Sequence, residues 1–467
     1  MAISFPPTDR PLAPPPPKPR PWKNFLWGLL IGFAGFGTAF YFLYESPVIK
    51  DFFTPPVRPY GAYVSNLERS QLAETVMGKT WLEVGRAALE DTLLRQAPFL
   101  DAGYFSADEP RALSYFLRPQ RGQELSIDME LSTPGDSPQV FIELFAWDET
   151  RRGGPQLVAY ADSGRYHLQY DVSGNEAYIL RIQPALLTRF SFRVKVWYGP
   201  SLSFPVAGKD SKAIRSFWGD SRDGGRRRHK GIDIFSRKGT PVLAAANGRI
   251  SRVRNGGLGG KVVWQRDAEH PQSLYYAHLD TQWVRRGELV EIGDTLGLVG
   301  NTGNARTTPP HLHFGIYQRN RGAVDPYPFV HIPVQTPPTL EAKEEDLLQW
   351  YRITQPTALQ SKPAGEGKVV MILPEDTPVR RLAATGRWHQ ISLPNGQQGY
   401  IPHQSSQVAS YNQPIQRWQG SHVLLDQPTA GVAMDSLTQG DSIRVLGTWE
   451  GYQWVMNQSR QEGWVKE

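Results

Sequence analysis

His229-Lys230-Gly231-Ile232-Asp233 and Pro310-His311-Leu312-His313-Phe314 bracket a stretch, Arg228 to Tyr317, around which the rest of this 467-residue chain is arranged. Zinc accepts imidazole nitrogen and carboxylate oxygen, and a catalytic zinc centre holds three such side chains with the fourth position left to water or substrate. His229, Asp233 and His313 make one candidate set. In an extended strand side chains alternate between faces, so His311 and His313 project together, one onto a metal and one beside it. Either pair alone, H-x-x-x-D or H-x-H, is more often polar surface than a site. Here both lie in glycine-punctuated strand patterns, Gly231-Ile232-Asp233-Ile234-Phe235 and His311-Leu312-His313-Phe314-Gly315-Ile316. A further histidine stands between them in Tyr275-Tyr276-Ala277-His278-Leu279.

From about Phe217 to Asp325 the chain resembles the lysostaphin-like zinc endopeptidases, which cut peptide bonds in bacterial peptidoglycan. Gly239-Thr240-Pro241-Val242 with Ala244-Ala245, the turn Gly287 to Gly293, and Gly300-Asn301-Thr302-Gly303 belong to the same resemblance. It implies His229, Asp233 and His313 as ligands of one zinc ion per chain, and His278 and His311 as catalytic histidines. Three positions depart from the family pattern: Pro309 and Ala277 where glycine is frequent, and Gly315 where glutamate is common. None removes a ligand or a catalytic imidazole. No H-E-x-x-H helix occurs, so a glutamate base of the thermolysin kind is not expected. His167, His270, His331, His389, His403 and His422 lie outside the matched motifs and read as ordinary surface or core histidines.

The length suggests three or four domains. With no cysteine, disulfides and thiolate metal sites are excluded, which confines metal ligation to histidine and carboxylate. A net charge of +6 suits an anionic partner such as cell wall or membrane surface, and serves solubility equally well. Residues 1–23 are proline-rich and basic, the composition of a disordered tail. Phe25 to Tyr44 is an uncharged, mostly apolar run of the length a helix needs to cross a bilayer. Arg10, Lys18, Arg20 and Lys23 precede it and mixed charges follow, so the tail is expected in the cytoplasm and everything beyond Glu45 outside, in a periplasm. A cleaved signal peptide ending near Gly37-Thr38-Ala39 is the competing reading, but the aromatic run Phe40 to Tyr44 favours an anchor. Gly28 and Gly32 are spaced as in a helix-pairing face, although small residues are common in membrane spans.

Pro47 to Pro59 reads as a linker. Apolar spacing from Asn66 to Gln96, broken near Gly78 and Gly85, predicts two short helices. Alternation in Leu125, Ile127, Met129 and Leu131, and again in Phe190, Phe192, Val194 and Val196, predicts a β-sandwich from about Ala112 to Tyr198, with Trp147 and Trp197 in its core. These elements make up the region 60–200, and the strand-rich metallopeptidase domain follows at 209–334 as an antiparallel sheet with its histidines lining a groove. Arg222, Arg226, Arg227, Arg228 and Lys230 lead into the first ligand, either as a solvated loop or as a lure for the carboxylates of peptide stems. A short acidic helix is expected from Glu341 to Trp350. Beyond it, Leu373, Arg380, Leu382, Trp388 and Gly399-Tyr400-Ile401 recur 64 residues later as Leu437, Arg444, Leu446, Tyr452 and Gly463-Trp464-Val465, a duplication. The two copies, 355–408 and 419–467, resemble bacterial SH3-like barrels, which implies binding of wall peptide or glycan. The fold class expected is mainly β and multidomain behind an N-terminal transmembrane helix.

The leading functional expectation is a membrane-anchored zinc metalloendopeptidase that hydrolyses peptide cross-links of peptidoglycan, with no nucleic-acid partner. Two other classes compete: a non-catalytic scaffold that activates a wall amidase, and a structural protein that binds the envelope. A complete ligand set argues against both.

Overall fold

The computed structural model describes residues 58–467 apart from 91, 134, 136, 149–153, 332–339, 341–345, 364–366, 410–412 and 430. The tail expected at 1–23 and the membrane helix expected at 25–44 lie outside the described residues. Among those described, no helix is long and apolar enough to cross a membrane. The chain is mainly β, and Val64–Glu467 form one compact unit.

Two helices open it, Pro59–Arg69 and Val76–Ala87. They lie earlier than the pattern predicted, because the break falls at Ser70 to Thr75 and not at Gly78 or Gly85. Thr75 caps the second helix by accepting from the Gly78 amide, and both glycines are buried inside that helix. A Cβ at Gly78 would stand 2.0 Å from the Leu72 carbonyl oxygen, so glycine here permits close approach. Trp81, 1 % exposed, donates through Nε1 to the Pro184 carbonyl. Arg181 donates to the Gly85 carbonyl and Gln183 to that of Trp81. The strand Ala177–Pro184 is therefore buried on both faces, with Leu180 and Ile182 in the sandwich core and the helix over Arg181 and Gln183.

The sandwich pairs a five-stranded sheet, whose central strand is Ala177–Pro184, with a layer built on Phe99–Phe105, Phe190–Pro200, Gln123–Ser132 and His167–Asp171. Phe99–Phe105 lies before the predicted start at Ala112. Trp147 and Trp197 are half-buried rather than core. Trp197 alternates out of phase with the buried Val194 and Val196, and Lys195 Nζ sits 4.7 Å above its ring.

Between residues 214 and 318 the main antiparallel sheet runs Ile214–Ser216, Ile232–Phe235, His311–Gln318, Gln272–Gln282, Lys261–Asp267, Gly248–Asn255 and Leu289–Val290. One face carries Ile232, Ile234, Leu274, Tyr276, Leu312, Phe314 and Ile316 into a closed apolar core. The other face holds the histidines.

The duplicated strands agree closely. Those starting at 369, 378, 388 and 398 recur at 433, 442, 452 and 462 with the same lengths. The copies are not separate bodies, however. Pro378–Thr385 of the first pairs with Phe99–Phe105 of the sandwich, Asp101 opposite Thr385 and Gly103 opposite Ala383, which makes one continuous eleven-stranded sheet. Leu446, Trp449, Trp454 and Trp464 of the second copy share a core with Leu359 and Ile401 of the first and with Tyr351 just before it. The acidic helix expected up to Trp350 does not reach that residue: Leu347 and Leu348 form a turn and Trp350 opens a strand, paired with Pro378–Thr385.

Candidate metal centre

Asp233 and His313 are cross-strand partners in the antiparallel pair of Ile232–Phe235 with His311–Gln318. Direct opposition brings their side chains within a few ångströms, the ordinary geometry of facing residues in a sheet. His229 enters from the loop before the strand, its amide held by the Asp220 carbonyl at 2.8 Å. His229 Nε2, Asp233 Oδ1 and His313 Nδ1 form a triangle with every side 3.0 Å. Ligands about 2.05 Å from a tetrahedral zinc stand about 3.3 Å apart, so this donor set fits such an ion with little adjustment. No other group of three potential ligands converges in this way among the described residues.

The atoms behind the triangle fix its orientation. His229 donates from Nδ1 to the Phe217 carbonyl at 2.8 Å, which selects the tautomer whose Nε2 carries a lone pair toward the ion site. Gly231 is required by packing: a Cβ there would lie 2.7 Å from His313 Cε1 and 2.5 Å from the Phe314 carbonyl oxygen. Burial works against the Asp233 charge, yet hydrogen bonds and charge from His229 and His313 outweigh it and hold the carboxyl well below its usual range. Arg222 completes the arrangement. It donates from Nη2 to Asp233 Oδ2 at 2.8 Å and also to Ser216 Oγ, leaving Asp233 Oδ1 for the triangle. Ser216 Oγ in turn donates to Asp220 Oδ2 at 3.0 Å.

His278 and His311 flank the triangle with ring centroids 5.1 Å apart. Each is pinned by the same device. His311 donates from Nδ1 to the Pro309 carbonyl and His278 from Nδ1 to the Thr302 carbonyl, both at 2.8 Å, so Nε2 of each ring is the free acceptor. Proline serves at position 309 because only its carbonyl is used. His311 stacks on Phe235, and its Nε2 is 4.0 Å from Asp233 Oδ1.

His278 reaches this face by breaking the strand period. Tyr275 and Ala277 line the cleft and Tyr276 is core, so alternation would place His278 in the core with Tyr276. Its φ of +62° lies in the left-handed region, which side chains seldom adopt and which clusters at functional sites. Burial, with His313 and His311 beside it, pushes its pKa down to about 4. Thr302 locks the turn: its hydroxyl accepts from the Lys261 amide and donates to the Leu279 carbonyl, both at 2.9 Å.

The five histidine and aspartate positions singled out from sequence thus come together in one cleft of about 860 Å³, lined among the described residues only by positions between 216 and 317. In the sequence Arg222 reads only as part of a basic run and Thr302 only as part of a glycine turn. No spacing rule exposes either, because both act across strands. The basic run is a hairpin, Ser221–Arg222 against Arg227–Arg228, that walls the cleft.

Comparison with known proteins places residues 227–326 within the model of Peptidase family M23. The chain is 36 % identical over 137 residues to an L-Ala--D-Glu endopeptidase of Bacillus subtilis (strain 168), covering 27 % of this chain and 42 % of that one. It is 38 % identical over 96 residues to the peptidoglycan DD-endopeptidase ShyB of Vibrio cholerae, covering 20 % of this chain and 21 % of that one. Among solved structures, the catalytic domain of lysostaphin from Staphylococcus simulans matches at 33 % identity with a TM-score of 0.23, over 25 % of this chain and 90 % of that one. The chain therefore spans less than half the length of these curated relatives. Residues 227–326 thus form a lysostaphin-like M23 peptidase domain.

Proposed function

We propose that this chain is a zinc-dependent endopeptidase that hydrolyses peptide bonds in bacterial peptidoglycan. The observation that carries the reading is the 3.0 Å triangle of His229, Asp233 and His313 flanked by two histidines whose free Nε2 atoms face one cleft. One zinc ion per chain is held by those three residues. A bound zinc supplies Lewis acidity and a nucleophile available at neutral pH. The chain's own groups do the rest. Nε2 of His278 and Nε2 of His311 accept the proton released by the attacking water and return one to the leaving amine, while each Nδ1–H stays on its backbone carbonyl. Burial keeps His278 neutral at pH 7, so it can accept that proton. Arg222 and Phe217 hold Asp233 and His229 in register throughout.

The apolar segment 25–44 anchors the protein in the cytoplasmic membrane with the tail 1–23 inside and the peptidase domain outside. The duplicated units are SH3-like modules that hold wall material near the cleft. Both statements extend the reading beyond the peptidase domain, and the constellation of residues supports the catalytic role over the scaffold.

The test uses the full chain, purified sacculi and a chelator. Native protein is expected to release muropeptides, chelator to stop release and zinc to restore it, and His313→Ala to lose zinc and activity together. Full hydrolysis by a zinc-free His313→Ala protein would overturn the assignment.

A further inference from the structure

Away from the metal cleft, a second cavity of about 420 Å³ lies where the helix Val76–Ala87, the sandwich and the first duplicated unit meet. Small side chains from all three line it, Ala87, Ala88, Ala102, Ala112, Ala383 and Ala384, beside the larger Leu113, Tyr115 and Phe192. The hollow is partly open to solvent, and its size is within the range of ligand sites.

The rim is polar and ordered. Arg111 donates from Nη2 to Gln390 Oε1 at 3.2 Å, Gln390 donates to Gln398 Oε1 at 3.4 Å, and Gln398 donates to Glu109 Oε1 at 3.1 Å. A ladder of side-chain amides thus crosses from the sandwich loop to two strands of the first duplicated unit, with a guanidinium at one end. Primary amides both donate and accept, which suits peptide groups. A guanidinium has five donors in a planar fork that matches a carboxylate, and Arg111 spends one on Gln390. Burial works against the Arg111 charge and Glu109 offsets part of that cost, so a ligand carboxylate would add to a counter-charge already present. Lys362 also lines the cavity, while Asp101 and Glu109 offset the two cations and set the lining against a polyanion.

We propose that this cavity binds a short peptide with a free carboxylate, the carboxylate on Arg111 and the peptide amides along Gln390 and Gln398. The choice of a wall peptide as ligand rests on the reading of the chain as a peptidoglycan hydrolase. The site would hold a cleaved or uncross-linked stem end while the metal cleft works on another bond, and it spans the sandwich and the first duplicated unit, so neither carries it alone.

The experiment titrates a wall-type tetrapeptide ending in D-alanine, and its C-terminal amide, into the full chain bearing His313→Ala, which removes turnover. Binding of the free acid is expected, weakened at least tenfold on amidation and at least tenfold by Arg111→Leu. Ala112→Phe, which fills the cavity from its half-buried rim, is expected to weaken binding equally should Arg111→Leu fold poorly. Zinc content and chelator-sensitive cleavage are expected to stay unchanged when either substitution is made in the native background. Equal affinity for acid and amide, undiminished binding in both variants, or tighter binding of a glycan fragment than of the peptide would overturn the proposal. Muropeptide release by the native chain is read separately, so its absence counts against the hydrolase reading and not against this cavity.

Discussion

Arg222 and Thr302 are the side chains whose contribution is least visible in the sequence and most exposed to test. Arg222 sits on the far oxygen of Asp233, 2.8 Å away, where outer-shell partners of metal ligands commonly contribute 10- to 100-fold in affinity. Arg222→Ala should therefore weaken zinc binding by about 10- to 100-fold, read by competition with a chromogenic chelator. Arg222→Lys keeps a charge but not the planar fork; native zinc affinity in that variant would show that charge alone suffices. Thr302→Val removes a hydroxyl that satisfies two backbone groups at 2.9 Å. The cost to stability should be about 1–3 kcal/mol, the usual range for leaving such groups unpaired. Turnover should fall further than zinc content does, because the residue seats His278 and touches no ligand. Equal losses of zinc and turnover would place Thr302 in support of the metal instead.

At the scale of elements, the centre depends on a strand pair and two interlocked turns. Asp233 opposite His313 is a register fact: a slip of one residue in either strand would turn its ligand to the core face and part the pair. The turns Gly256–Gly260 and Gly300–Gly303 approach so closely that a Cβ on Gly260 would lie 2.3 Å from Thr302 Oγ1, and one on Gly303 2.3 Å from the Leu258 carbonyl oxygen. Both glycines have φ near +70°. Gly303→Val should push the turns apart and release His278, lowering turnover while zinc stays bound; circular dichroism and metal analysis of the purified variant check this. His278 itself shows where periodicity stops being informative. Its neighbours alternate as a strand should, and it alone is turned by a left-handed backbone into the cleft.

Across the whole molecule, two histidines outside the cleft set opposite limbs of a pH profile. His270 bridges domains, with Nε2 2.9 Å from Asp171 of the sandwich and Nδ1 3.2 Å from Asp267. Those hydrogen bonds, Asp171 first, raise its pKa to about 10. A raised pKa in the folded state means the contribution is whole below about 6.5 and is lost as pH rises through about 10. His389 is buried beside Arg381, and burial drives its pKa down to about 3. The folded state then binds fewer protons than the unfolded one, so stability falls as pH drops below about 6.5 toward 3. Thermal unfolding against pH should peak near pH 6.5; His270→Asn should lower the peak and flatten only the alkaline limb, and His389→Phe should soften only the acidic one. Deleting 419–467 should destabilise the first duplicated unit as well, since Trp454 and Trp464 complete its core. Limited proteolysis of the truncated chain reads this out.

Sequence alone determined the candidate set: three side chains of the types that hold a zinc ion, two more imidazoles beside them, and a duplication in the C-terminal part. Ligand identity, strand alternation and a repeat offset are local or arithmetic properties of the chain, and they survive without knowledge of packing. Only tertiary structure decided how the parts join. The edge of Phe99–Phe105 has backbone groups that any strand can satisfy, so no residue type at Asp101 to Gly103 announces that Ala383 to Thr385 will pair with it. The same indifference hid Arg222, Thr302 and the cavity lined by Arg111, Gln390 and Gln398. Each is made by residues far apart in the chain whose meeting follows from burying apolar surface, a force proportional to area and without direction.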